Sequence, residues 1–314
     1  MIDGSGLLAE PATCMPARIR NRLIAFSIIA APFVFLFCLL LFWDAEPLPP
    51  VPPSPNPNGY DDLVKAGNMV SNDFENYDEL SSTKLGELIN KNAKALQTAR
   101  TGLREKCQVT LDYSAASSAH LDQLMALKRL AFAFAADGRL AEMEKRPADA
   151  VQSDLDMIRL ANESARGGVI IDQLVGIAIE AISVRQMQVL VDQLDTKTCR
   201  ETAATLETLD SQRQTWDEVM RQERDWSHRT FPGIRYQLSA IIMHNTLNKA
   251  YQTAEQNFEK QQFKTRQLML EFAARAYELE KGQPPASAAD LVPDYLKAIP
   301  QDPLTGTNMV YSPR

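Results

Sequence analysis

The chain has 314 residues, of which 45% are apolar and 23% charged, with only 13 glycines and a formal net charge of −7. That length and apolar content suffice for one large or two small packed cores and exclude a disordered polyelectrolyte. The acidic excess lies wholly after residue 43, since residues 1–43 carry three arginines against two acids, which argues against a nucleic-acid partner or an electrostatic hold on anionic lipid.

In chain order, residues 1–22 carry Arg18, Arg20 and Arg22 directly before an uncharged apolar run at 23–43, and Asp44 and Glu46 follow it. At about 1.5 Å per residue, such a helix spans the roughly 30 Å hydrocarbon layer of a bilayer. The flanking charges predict a cytoplasmic N-terminus and an extracytoplasmic remainder, so the expected location is the bacterial inner membrane with a single span. A cleaved signal peptide is the rival reading, but its apolar region should be about 7–15 residues and end in small residues. Here the run closes on Trp43-Asp44-Ala45, and Cys38 follows Phe37 instead of the small residues of a lipoprotein signal. Residues 44–58 form a linker with seven prolines between 47 and 58, which favours a polyproline II spacer over a docking ligand.

A helical ectodomain is expected over 59–267, because helix-forming residues abound and alternating strand patterns are nearly absent. The spacing predicts a short helix at 60–72 and a longer one capped by Ser82 or Thr83 with Leu85, Leu88, Ile89, Leu96 and Leu103 on one face. After a loop at 108–116, a third is capped by Ser117 or Ser118 and stopped by Gly138. A fourth covers 139–165 with a break or new start at Pro147, and Gly167-Gly168 ends it. Residues 169–194 are apolar nearly all round, as in a central bundle helix. A second membrane span is the alternative there, disfavoured by Asp172, Glu180 and Arg185. A charged helix from 196 to 227, a Phe231-Pro232-Gly233 turn and a helix from 234 to 281 with a break near 260 complete the body. The expected class is therefore all-α, a helical bundle or tetratricopeptide-like stack, the latter suggested only by an A-x-x-G-R-L step at 135–140.

Cys107 and Cys199 would both lie outside the membrane. A disulfide between them would close a long loop, worth about 4–5 kcal/mol in the chain-entropy model. Two separate buried thiols are the equal alternative.

Residues 268–314 carry the most specific pattern. A helix with Tyr277 ends at Gly282 and Pro285, then come Leu291, Pro293, Tyr295, Pro300, Asp302, Pro303, Gly306 and Tyr311. This segment resembles the C-terminal part of the major pseudopilins of type II secretion systems. The resemblance implies a small irregular tail with a short closing strand, packed onto the preceding helix. It also implies a calcium site at Asp302, although calcium wants six to eight oxygens and Asp302 is the one obvious carboxylate of that loop. The departures are large: Arg22-Leu23 replaces the processed Gly-Phe, no glutamate interrupts the apolar run, and the pilin-like piece lies far from the anchor. The whole layout resembles bacterial membrane-anchored envelope proteins whose biochemical roles are not established.

Chemistry-bearing motifs are sparse. His120, His228 and His244 stand apart, and no zinc, nucleotide or hydrolase signature occurs, so neither a cofactor nor an enzymatic activity is expected. Glu223, Asp225 and His228 share roughly one helix face near Trp226, as an acid–base cluster or a solvated helix end. Buried Asp172 and Glu180 would need partners, for which Arg185 and Arg129 are the candidates. The leading expectation is an interaction or scaffold component of an envelope or secretion-type assembly with protein partners. The alternatives are an extracytoplasmic ligand-binding module and a hydrolase.

Overall fold

The computed structural model describes residues 30–38, 50–51, 53–71, 74, 76–113, 118–231 and 234–311, with the side chains of 234–245 set aside. Most of the expected anchor, its arginines and Cys14 lie outside these residues. Residues 30–38 form a helix, α1, along which Phe33 to Phe37 are exposed.

The body is all-α. Helix α2 (Gly59–Met69) is capped by the Asn58 side chain, and α3 (Ser82–Gly102) by Ser81. Helix α4 (Ala119–Met143) follows Ser118. It runs straight through Gly138, contrary to the stop expected there. The helix continues for about one and a half turns past that glycine to Met143, and the left-handed residue comes later, at Lys145 with φ 61°. Helix α5 (Pro147–Ala165) opens with proline in its first turn, where the missing N–H costs nothing, and ends before Gly167 at φ +70°.

Helix α6 (Ile170–Leu190) continues as a 3-10 turn, Val191–Gln193. Among the described residues it is the one helix long and apolar enough to cross a membrane. It packs instead against α5, α9 and α4.

The charged stretch expected as one helix is two, α7 (Thr196–Ser211) and α8 (Trp216–Thr230). A reciprocal capping box starts α8: Glu218 N–H donates to Thr215 Oγ1, and Thr215 N–H donates to Glu218 Oε2 at 2.8 Å. Helix α9 (Ile234–Lys281) runs unbroken for 48 residues, through the break expected near 260 and across the 267/268 boundary.

Consecutive helices pack side by side, α2 on α3, α4 on α5 and α5 on α6, while α9 lies along α7 and α6. Two apolar cores result. The first joins α2, α3, α4 and one face of α5 around Leu63, Leu85, Leu127 and Phe134. The second joins α5, α6, α7 and α9 to the tail around Met187, Leu206 and Phe272.

Residues 282–311 form that tail. Leu291, Tyr295, Leu296 and Met309 are buried in the second core, and the Tyr295 ring lies 5.5 Å from Tyr277. The Tyr295 hydroxyl donates to Glu280 at 2.6 Å, and the Arg200 guanidinium stacks 4.5 Å over its ring. Gly282 and Gly306 take positive φ. The expected closing strand is reduced to one isolated bridge, Gln301 to Asn308.

Candidate functional site

The site forms where α6 begins. Gly168 permits it: a Cβ there would sit 2.6 Å from the Asp172 carboxyl carbon. Without one, Asp172 folds back so that its Oδ2 accepts the Val169 N–H at 2.8 Å. The next exposed amide, Ile170 N–H, donates at 3.0 Å to Glu223 Oε2 from α8. Two carboxylates therefore sit on one helix N-terminus, where unpaired amides and the macrodipole favour negative charge. Asp172 is 1% exposed.

His120, in the first turn of α4, lies against this pair, with Nε2 3.0 Å from Asp172 Oδ1. The Asp172 carboxylate raises the imidazole pKa against the burial that would lower it. Burial raises the Glu223 pKa, assisted by repulsion from Asp172 and opposed by the Ile170 amide. Behind the pair, the Tyr60 hydroxyl donates to Gln123 at 3.2 Å, its pKa pushed up by burial and then by Asp172.

Above these groups opens a cleft of about 460 Å³ between α4, α6, α8 and α9. Leu121, Ile171, Leu174, Trp226, Tyr251 and Ala254 form its walls, and His120, Glu223 and Asp112 supply its ionisable groups. The Trp226 indole is fixed by donating to the Asp112 carbonyl at 2.9 Å. A small apolar cluster of Ile170, Val219 and Ala254 supports α8 and α9 beneath it. Size and lining match the usual concave ligand site, apolar with a few convergent polar groups. A histidine oriented by a carboxylate can hold a proton at a defined position. No serine, threonine or cysteine lines the cleft among the described residues to serve as a nucleophile beside it.

The expected partners of the buried acids are corrected. Arg185 is exposed on α6, and Arg129 donates to the Gly67 carbonyl at 3.3 Å and to Asn68 at 3.1 Å. Glu180, 1% exposed, is gripped by both terminal nitrogens of Arg213, and Thr265 donates to it at 2.6 Å. Asp210 lies beside Arg213 and accepts from Arg266 Nε at 2.8 Å, and Arg266 reaches the Gln301 carbonyl of the tail at 2.6 Å. This network joins α6, the α7–α8 break, α9 and the tail, with Arg213 Nε left without a hydrogen bond among the described residues.

Asp172 and Glu180 therefore serve two separate places. Glu223 turns inward to α6 while His228 is exposed, so the cluster expected on α8 does not converge.

Other residues show no motif. Arg100 binds Asp137 at 2.8 Å and Asp156 at 2.9 Å, a three-helix clamp. Asp154 is buried with no hydrogen bond to either carboxyl oxygen among the described residues.

Cys107 and Cys199 are free thiols in different cores, which corrects the disulfide. Burial pushes their pKa values up to about 12 and about 11. Asp302 spends its carboxylate on its own turn, accepting from Leu304 N–H at 2.8 Å and from the Thr305 hydroxyl at 3.0 Å. Among the described residues no group of three or more His, Cys, Asp or Glu could hold a metal.

No protein-family profile, curated protein or solved structure matches this chain.

Proposed function

We propose that this chain is a single-pass, membrane-anchored extracytoplasmic binding protein of the bacterial envelope. Its helical body, a stack of tetratricopeptide-like hairpins, would present the α4/α6/α8/α9 cleft to a small amphipathic ligand. The uncharged run at 23–43, the basic flank before it and the proline spacer after it support the anchor and its orientation. The observation that carries the binding role is the convergence of the His120–Asp172 pair and Glu223 on an apolar cleft of about 460 Å³. The other large buried ion networks pair their charges with one another and read as structural.

The test is native mass spectrometry of the full chain extracted from membranes. A co-purifying small molecule is expected with the wild type and not with Leu174→Arg, which fills the cleft. Absence of any bound molecule in the wild type sinks the ligand-binding role. A reporter fusion after residue 60, active only outside the cytoplasm, tests the orientation separately.

The scaffold role is the second reading, and one observation favours it. A groove of about 470 Å³ runs between α9 and the end of the tail, where Val310 stands 86% exposed. A protein partner seated there would be recovered by crosslinking with the wild type and lost with Val310→Asp. The pilin-like resemblance of the tail points to secretion-type subunits as that partner.

A further inference from the structure

The charges of the cleft select its ligand. Asp172 and Glu223 bring two carboxylates to the start of α6, and among the described residues the basic side chain that meets them is His120, whose pKa Asp172 raises. No lysine or arginine lines the cleft among the described residues. The α6 N-terminus offsets about half a charge through its amides. A residual negative potential is left at the bottom of an apolar, partly desolvated space, where charge interactions are stronger than in water. Burial, and less strongly the neighbouring Asp172, raise the Glu223 pKa, so a cation seated beside it would favour its ionised form.

We propose that the cleft binds an amphipathic amine, with the ammonium group at Glu223 and the apolar body between Trp226, Ile171 and Leu121. This rests on the ligand-binding reading above. The ammonium would donate to Glu223, which keeps its bond from Ile170 N–H through a second lone pair of the carboxylate. The aromatic face of Trp226, anchored through its indole N–H to the Asp112 carbonyl, offers a further contact for cation or ring. A carboxylate ligand would meet Glu223 directly, with Asp172 buried close behind, and be repelled. A neutral isostere would keep the apolar contacts and lose the charge.

The test uses the full chain in lipid nanodiscs, titrated with phenethylamine, phenethyl alcohol and phenylacetate, each against empty nanodiscs. The expected order is amine about tenfold tighter than alcohol, with the acid weakest, a tenfold step being about 1.4 kcal/mol. Glu223→Gln keeps the hydrogen bond to Ile170 and should erase the amine's advantage. His120→Gln removes the basic imidazole beside Asp172 and should increase it. Thermal melting of both variants checks that they fold. Equal affinity for amine and alcohol would overturn the amine inference while leaving a ligand cleft in place. Failure of all three probes to bind would overturn both.

Discussion

Arg213, in the short break between α7 and α8, closes a buried two-pronged ion pair with Glu180 at the centre of α6. Neither residue is near the other in sequence, and the side chains are 8% and 1% exposed. Breaking such a pair from one side strands a charge, which typically costs about 3–5 kcal/mol. Arg213→Met should destabilise the body by that order in urea denaturation. Glu180→Leu combined with Arg213→Met should recover most of the loss. A double variant as unstable as the single one would show that the loss comes from packing and not from the stranded charge.

Asp154 gives a pH signature. Burial, with the Glu142 charge adding to it, holds its folded-state pKa well above the ordinary carboxylate value. The folded chain then keeps a proton that the unfolded chain releases above about pH 3.9. Stability attributable to this group is complete below that pH and falls as pH rises toward the folded pKa. Asp154→Asn should flatten this part of the stability–pH curve and raise neutral-pH stability by about 1–3 kcal/mol. An unchanged slope in the variant would show that Asp154 ionises freely in the fold.

Gly168→Ala tests the architecture of the cleft floor. The added methyl group must displace the Asp172 carboxylate from the Val169 amide and from His120. Loss of the cap should cost about 1–2 kcal/mol. The His120 pKa, read by NMR titration, should fall toward its ordinary value. Stability from the wild-type pair is full below the ordinary histidine pKa of about 6.5 and is lost as pH rises through the raised folded value, and the variant should lack that loss. An unshifted histidine titration would mean Asp172 does not set it.

The tail is part of the body and not an appendage. Leu291 is fully buried in the second core, so Leu291→Ala should cost about 2–5 kcal/mol and lower a single melting transition of the whole domain. Val310→Ala, at an exposed side chain, should stay within about 0.5 kcal/mol. A variant at Leu291 that melts the tail alone would make it an independent unit.

Local signals in the sequence read well where the chain makes local structure. Pro147 opens α5, Gly167 follows its end, and the apolar face of α3 is buried as its spacing requires. Asp172 and Glu180 stand out as acids in an apolar helix, but their partners, His120 and Arg213, come from 52 and 33 residues away, and no periodicity encodes that. The break that positions Arg213 was legible in the T-x-x-E capping box at Thr215–Glu218, which a reading based on charge and helical period passes over. Gly138 misleads because a single glycine inside a strongly helical segment is tolerated when helix–helix contact repays its entropy. The expected strand failed because Gly306 makes a tight turn in which only Gln301 and Asn308 pair.

The most direct test of the cleft as the working site is fluorine NMR of the full chain carrying 5-fluorotryptophan, screened with small amines, alcohols and acids. Trp226 lines the cleft, whereas Trp216 lines a separate groove against Phe258 and the tail. Binding in the cleft should move the Trp226 resonance saturably and leave Trp216 in place. Compounds that move Trp216 alone, or none that moves Trp226, would contradict the account.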